Sequence, residues 1–455
     1  MPIPPRRHRA RLRDVDAARF SRERNAAAAL YAGMNTRSSL LGLAVAAAVA
    51  AILSDARWDA PADAATREPM FDRQTVAKGA QLAAIGNCAA CHTQPGGKPY
   101  AGGRPLKTMF GTIYSTNITP DVETGIVAWS QGDFLRAMHD GTDRAGRNLY
   151  PAFPYDHFTR VTDDDVNAIY AFVMTRDPVH AVVPPNRLTF PMNLRPLLSA
   201  WKMLFFDRGV YRPDPTHGAQ WNRGAYLVDG LGHCGACHTP RNSLGAEEKR
   251  QDLGGGEAEG WHATALDASS PTPLPWTAEQ MFKYLRQGWD DSHGTAAGPM
   301  KPVSHDLSEV NEEDVRAIAA YLMWTMKQRH LRPASPAETL GGAAQTGEGA
   351  VIFEGACASC HGGSSASTPS THTVPLGLTT SLNAPDPRNA IHIVLEGIWP
   401  ESGESGAWMP GFEGALSADQ LATLLAYLRA HFTSQPTWSD IASHLRETMQ
   451  RKDRQ

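Results

Sequence analysis

The sequence predicts an all-α chain made of three tandem copies of one small helical unit, on three observations. All six cysteines fall in three pairs of identical spacing, the same flanking signals recur around each pair, and every copy closes on an apolar pattern of helical period. The length of 455 residues exceeds one ordinary core and suits about three domains of roughly 100 to 150 residues. Hydrophobic residues at 42% and charged residues at 20% describe a folded globular class, and a net charge of −4 gives no electrostatic basis for binding nucleic acid.

The N-terminus differs from the rest. Residues 1–24 hold eight arginines against three acids, and an apolar run follows from Leu40 to Leu53. This resembles the basic and hydrophobic regions of an export signal. The run is shorter than the ~20 residues of a comfortable span, so a cleaved signal and a retained anchor are both open, as is a start at Met34. Positive residues ahead of the run place the N-terminus inside and the bulk of the chain on the periplasmic face of a bacterial inner membrane.

The pairs are Cys88/Cys91 followed by His92, Cys234/Cys237 by His238, and Cys357/Cys360 by His361. Disulfides or zinc would use the cysteines but leave the histidine at one fixed offset unexplained. CxxCH is the attachment signature of c-type haem: two thiols add across the vinyl groups, and the adjacent histidine is placed under the ring as an iron ligand. Three covalently bound haem c groups are therefore expected.

A Gly-Ala pair stands before each site, at Gly79, Gly224 and Gly349, and is read as opening a short helix into the cysteines. Beyond each site an amphipathic segment ends in glycine, at Gly141, Gly288 and Gly397, which suits a helix C′ position with positive φ. A longer helix then begins at a capping residue, Thr162, Asn311 or Ser417. Apolar residues follow at helical spacing, including Val166, Ile169 and Val173 in the first copy, Val315, Ile318 and Leu322 in the second, and Leu421, Leu424 and Leu428 in the third. Short helix, haem site, middle helix, loop and terminal helix is the plan of a cytochrome c domain, so the fold class expected is all-α with three such domains in tandem.

A methionine thioether commonly closes the second axial position of an electron carrier, raising its potential and excluding water. Counting twelve residues from the glycine gives Met300 and Met409, each beside a proline. The same count from Gly141 gives Phe153, which cannot bind iron. Met109, His157 and Met138 are the remaining candidates for the first iron, beside an open or water-bound position. Met138 aligns with Leu285 and Val394, which makes it a core residue by analogy. His180, His305 and His372 repeat at no fixed offset and are assigned nothing.

The expected layout is a basic segment with signal or anchor over 1–60, units over 70–185, 216–332 and 346–435, a connector over 186–215, a linker over 333–345, and a polar tail over 436–455 without a membrane span. The connector carries an apolar run without acids, Leu194 to Phe206, read as packing between domains or as a surface for a membrane or partner. Residues 245–262 read as a charged, glycine-rich insertion loop.

From about residue 75 to 433, the three CxxCH sites with YSTNITPD (Tyr114 to Asp121), LYPAFPY (Leu149 to Tyr155) and CGACHTPRN (Cys234 to Asn242) resemble the triheme cytochrome c subunits of membrane-bound bacterial dehydrogenases. The resemblance implies a subunit that takes electrons from a catalytic partner and passes them to ubiquinone or a terminal oxidase, with no catalytic residue of its own. Partners in that family include quinoprotein alcohol dehydrogenases, flavin sugar dehydrogenases and molybdenum hydroxylases of aldehydes or N-heterocycles. The alcohol dehydrogenase branch has methionine where this chain has Phe153, and the hydrophobic segment here is N-terminal. Both departures lean toward a molybdenum-hydroxylase partner. The rival readings are a peroxidase-like enzyme with an open first iron, for which Asp156 and His157 would be the nearby acid and base, and a free-standing electron carrier.

Overall fold

A computed structural model of the chain describes residues 71–327, 347–362, 374–400 and 407–452. The basic N-terminus, the apolar run and the linker over 333–345 lie outside them. Among the described residues no helix is long and apolar enough to cross a membrane.

Three sets of helices follow the expected order. The first is α1 (Arg73–Ile85), α2 (Gln131–Asp140) and α3 (Asp163–Met174). The connector adds α4 (Leu197–Phe205). The second set is α5 (Ala219–Tyr226), α6 (Ala278–Gln287) and α7 (Glu312–Lys327). The third is α8 (Glu348–Ala356), α9 (Arg388–Glu396) and α10 (Ala418–Phe432), followed by α11 (Ile441–Lys452). The caps fall where the sequence places them: Thr162, Asn311 and Ser417 each accept the backbone N–H three residues on. Gly141, Gly288 and Gly397 end the middle helices at φ of 57°, 73° and 75°.

The Gly-Ala pairs do more than open a helix. Gly79 lies mid-way along α1, where α1 crosses α3, and a β-carbon on it would stand 1.9 Å from the Ala168 carbonyl oxygen. On Gly224 it would stand 2.1 Å from that of Ala317, and on Gly349 2.6 Å from that of Thr423. Ala168, Ala317 and Thr423 are each six residues past the cap of their helix. The first and last helices of every set therefore cross at one point and at backbone contact, which only glycine permits. From these glycines to the first cysteine the chain runs nine, ten and eight positions. The longest of the three holds a π-helical turn, Leu227–Leu231, which takes up extra chain without moving the crossing.

The first two sets share one hydrophobic core, in which Leu82, Val166 and Ile169 join Leu227, Leu231 and Leu322. Polar contacts tie the same two sets: Tyr226 donates to Asp165 at 2.6 Å, and Gln81 bonds the Glu309 carbonyl and the Asn311 N–H at 2.9 and 2.8 Å. A second core around Phe353, Ile391, Leu421 and Leu425 belongs to the third set. The tail read as polar contributes to it, because Trp438, Ile441 and Leu445 are buried there.

Three short strands, β1 (Pro105–Thr108), β2 (Gly111–Tyr114) and β3 (Arg187–Leu188), form an antiparallel sheet that fastens the connector to the first set. The connector is only partly packed: Leu198 is buried, whereas Leu197, Met203 and Leu204 are exposed, which departs from a segment enclosed between domains. The insertion loop also departs from expectation. It folds into a hairpin, β4 (Gly256–Ala258) and β5 (Trp261–Ala263), that docks on α9.

Candidate functional site

Each CxxCH segment is one turn of helix, Cys88–His92, Gly235–His238 and Ala358–His361. In the first segment both cysteines lie within the turn, three apart and so on one side of it, with the histidine beside the second, while Cys234 and Cys357 stand just before their turns. The six thiols are not joined to one another. Burial pushes Cys88 and Cys234 up to about 12 and Cys237 to about 11, keeping them neutral.

Burial also holds His92, His238 and His361 below the ordinary imidazole range, and the neutral ring is the form that binds a metal. His92 Nδ1 lies 2.7 Å from the Thr116 carbonyl oxygen, and His238 Nδ1 lies 2.6 Å from that of Thr264. A carbonyl only accepts, so the proton is on Nδ1 and the lone pair is left on Nε2, free for an iron. The buried Nδ1 of His361 has no partner among the described residues.

All three segments open on one cavity of about 2770 Å³. Its wall includes both cysteines and the histidine of the first two segments, with Cys357 and His361 of the third, and Cys360 is exposed. Paired thiols, a free Nε2 and a largely hydrophobic wall fit tethered porphyrins.

Met300 and Met409 line the same cavity. Met300 opens the helix Met300–Ser308, and the Met409 backbone exchanges hydrogen bonds of 2.8 and 2.9 Å with Ile398. Gly397 is required here as well as at the helix end, because a β-carbon on it would stand 2.4 Å from the Met409 carbonyl oxygen.

At the first segment Phe153 lines the wall and packs on Phe158 with ring centroids 5.2 Å apart. Met138 lines the wall from the core, as Leu285 and Val394 do in the other sets. Met109 lines it from the tip of the β1–β2 hairpin and is largely exposed. His157 is not on the wall. Its Nδ1–H donates to the Asp229 carbonyl at 2.9 Å and its Nε2–H to Glu247 at 2.9 Å. Asp156 converges on the same pair, and Arg241 approaches Glu247 at 3.4 Å, so the cluster is a buried ion pair between the first two sets. Burial alone would push His157 toward neutrality. The hydrogen bond and charge of Glu247, with the charge of Asp156 and the Asp229 carbonyl, outweigh it and raise the ring to about 9.

The first two attachment segments abut. His233, just before Cys234, has Nε2 3.2 Å from the Gly86 carbonyl oxygen, two residues before Cys88. The second and third sets meet through the β4–β5 hairpin: Asn389 exchanges hydrogen bonds of 2.8 and 2.9 Å with the His262 backbone, Arg388 pairs with Glu257 at 2.6 Å, and Trp261 stacks on His392 at 4.6 Å. Arg104 of the first set reaches Glu259 of the hairpin at 2.9 Å. Sequence reasoning found the cysteines, histidines and loop methionines, but not His157–Glu247 or the hairpin, whose partners are 90 or more residues apart.

The Cytochrome c family pattern matches residues 76–177 and 347–431, with the second CxxCH between the two matched stretches. A nicotinate dehydrogenase subunit of Pseudomonas putida is 45% identical over 368 residues, which are 80% of this chain and 31% of that protein. The chain thus spans about a third of that relative. The fructose dehydrogenase cytochrome subunit of Gluconobacter japonicus is 34% identical, covering 79% of this chain and 80% of its own. The gluconate 2-dehydrogenase cytochrome c subunit of Pantoea cypripedii is 34% identical, covering 84% and 91%. The chain therefore belongs to the cytochrome c subunits of dehydrogenases, electron-transfer proteins that carry covalently bound haem c.

Proposed function

We propose that the chain is a triheme electron-transfer subunit, with one haem c tethered at Cys88/Cys91, one at Cys234/Cys237 and one at Cys357/Cys360 in three tandem cytochrome c domains. The observation that carries this is the single cavity onto which all three CxxCH turns open, together with the identical glycine crossing behind each. When bound, haem c supplies a one-electron iron couple. The chain's own residues fix it: His92, His238 and His361 offer Nε2, Met300 and Met409 close the second and third sites, and the hydrophobic wall excludes water.

At the first site Phe153 stands at the count where the other two copies carry methionine, and it lines the cavity. His157 has both nitrogens engaged and Met138 fills a core slot, which leaves Met109 or solvent as the sixth ligand. Asp156 and His157 face the inter-repeat ion pair rather than the cavity, which favours electron transfer over the peroxidase-like reading.

The second domain touches both others, so it is the bridge along which electrons pass. The donor in this reading is a catalytic dehydrogenase on the periplasmic face of the inner membrane. The 45% identity to a nicotinate dehydrogenase subunit leans toward a molybdenum-hydroxylase partner, with ubiquinone or a terminal oxidase as acceptor. The test is the full chain expressed in a host that matures cytochromes c. Intact mass and haem assay are expected to give three haems per chain, and co-purification a catalytic subunit. Two haems would overturn the triheme count, and a colourless protein the whole reading.

A further inference from the structure

We propose that Asp156, His157 and Glu247 form a binding site for one divalent transition-metal ion of the zinc type, which clamps the first helix set to the second. The imidazole nitrogen and one carboxylate oxygen from each acid lie within 4.8 Å of one another. A tetrahedral zinc with bonds of about 2.0–2.2 Å needs donor atoms roughly 3.3–3.6 Å apart, so side-chain movements of at most about 1.5 Å close the cluster on an ion. The donors come from both sides of the joint. Asp156 and His157 stand on the short turn Tyr155–Phe158 ahead of α3, and Glu247 on the loop after the second CxxCH.

The His157 ring is set as metal-binding histidines are set. Its Nδ1–H donates to the Asp229 carbonyl at 2.9 Å, which turns Nε2 toward Glu247, 2.9 and 3.1 Å from the two carboxylate oxygens. A metal ion would take the place of the proton between them. A β-carbon on Gly235 would stand 2.9 Å from His157 Cε1 and 3.4 Å from Glu247 Oε2, so glycine there makes the space in which ring and carboxylate meet. Asp156 supplies the charge that a simple ion pair leaves over: it has no side-chain hydrogen bond among the described residues, and burial holds its carboxyl above the usual range. With His157 protonated and both acids ionised the three side chains sum to −1, whereas a divalent ion on the neutral ring brings them to zero. At least one proton is released as the ion binds. Arg241 opposes the ion, but the Gly245 and Ala236 carbonyls hold its guanidinium at 2.8 Å each, and it reaches Glu247 only at 3.4 Å. The Asp229 carboxylate is engaged by the Tyr321 hydroxyl at 3.0 Å and is no ligand. One imidazole with two carboxylates suits zinc, and water completes the shell from the side where Asp156 is only partly buried. None of the three side chains lines the haem cavity, so tethered haem leaves the site free. The inference goes beyond the electron-transfer reading and is independent of it, because zinc and haem are counted separately on the same protein.

The test strips the full-length holoprotein with a chelator, dialyses it against Zn2+ and removes the excess. Elemental analysis is expected to give one zinc per chain beside the haem iron, and calorimetry in two buffers of different ionisation heat the release of at least one proton. The melting temperature should rise above that of the stripped protein. His157→Gln and Glu247→Gln should each weaken zinc binding more than about tenfold, and Asp156→Asn about tenfold, with haem content unchanged. His180, which stands 3.7 and 3.6 Å from Asp121 and Glu123 at the surface, is the control, and His180→Gln should leave binding as it is. X-ray absorption at the zinc edge of the parent protein decides the matter without any variant: one imidazole with oxygen donors at about 2.0–2.2 Å and no sulfur is expected. A chain that retains no zinc, zinc kept by His157→Gln but lost by His180→Gln, or a shell with sulfur or a second imidazole would overturn the proposal.

Discussion

Gly224 and Ala317 touch backbone to backbone: a β-carbon on Gly224 would stand 2.1 Å from the Ala317 carbonyl oxygen. The contact recurs at Gly79 and Gly349, so the depth of each crossing predicts an order of damage. Replacement by valine is expected to cost about 2–4 kcal/mol at positions 79 and 224, and less at 349, where the gap is 2.6 Å. Thermal unfolding and haem content of the three variants check this. Equal stability of Gly224→Val and the parent would mean that α5 and α7 do not cross there.

The His157–Glu247 pair predicts a pH window. His157, ordinarily 6.5 and raised to about 9, gives its full stabilisation below 6.5 and loses it as pH climbs through 9. Burial pushes the Glu247 carboxyl up, but the His157 hydrogen bond and charge outweigh it and hold it below its ordinary 4.5, so its share is lost only in acid. The joint between the first two helix sets should be firmest between about pH 4.5 and 6.5, and weaker at pH 9 by about 3 kcal/mol at most. His157→Gln should flatten the alkaline limb of a melting-temperature profile. An unchanged limb would show that the ring is not a cation.

What the sequence makes legible is local. A cap speaks to the N–H three residues on, a C′ glycine to its own φ, and a CxxCH turn to one ring, so Ser417, Gly288 and Cys234 carry their meaning in a few neighbours. Contacts between repeats leave no such mark. Glu247 reads as one more charge in a loop until folding brings it to His157, 90 residues away. The tail had a usable signal: Trp438, Ile441 and Leu445, spaced three and four apart, form the apolar stripe of a packed helix. The Gly-Ala pairs carried one too, since a glycine recurring before each cysteine pair points to a backbone contact more than to a helix start.

Axial ligation predicts which potentials move. Met300→Ala and Met409→Ala should each lower one midpoint potential by on the order of 0.1 V, a fraction of the roughly 0.8 V that axial ligands span. Phe153→Met should bring the first site into line with the others, adding a methionine-ligated spectrum and raising one potential. If Met109 already binds there, Phe153→Met should leave the spectrum unchanged and Met109→Ala should alter it.

The joint between the second and third helix sets turns on Asn389. Its amide donates to the His262 carbonyl at 2.8 Å and accepts from the His262 N–H at 2.9 Å, so one side chain completes the outer edge of β5. Leucine has a similar size but neither bond. Asn389→Leu would leave two backbone groups without partners, at about 1–3 kcal/mol each. The Arg388–Glu257 ion pair and the Trp261–His392 stack would remain, so the third domain should stay folded and keep its haem while the hairpin opens more often. Hydrogen exchange at residues 256–263 should accelerate at least tenfold, since each 1.4 kcal/mol corresponds to a factor of ten. Electron transfer between the second and third sites should slow with unchanged potentials, because the wall between them is then closed for less of the time. Unaltered exchange at β4 and β5 would mean that the domains are joined elsewhere.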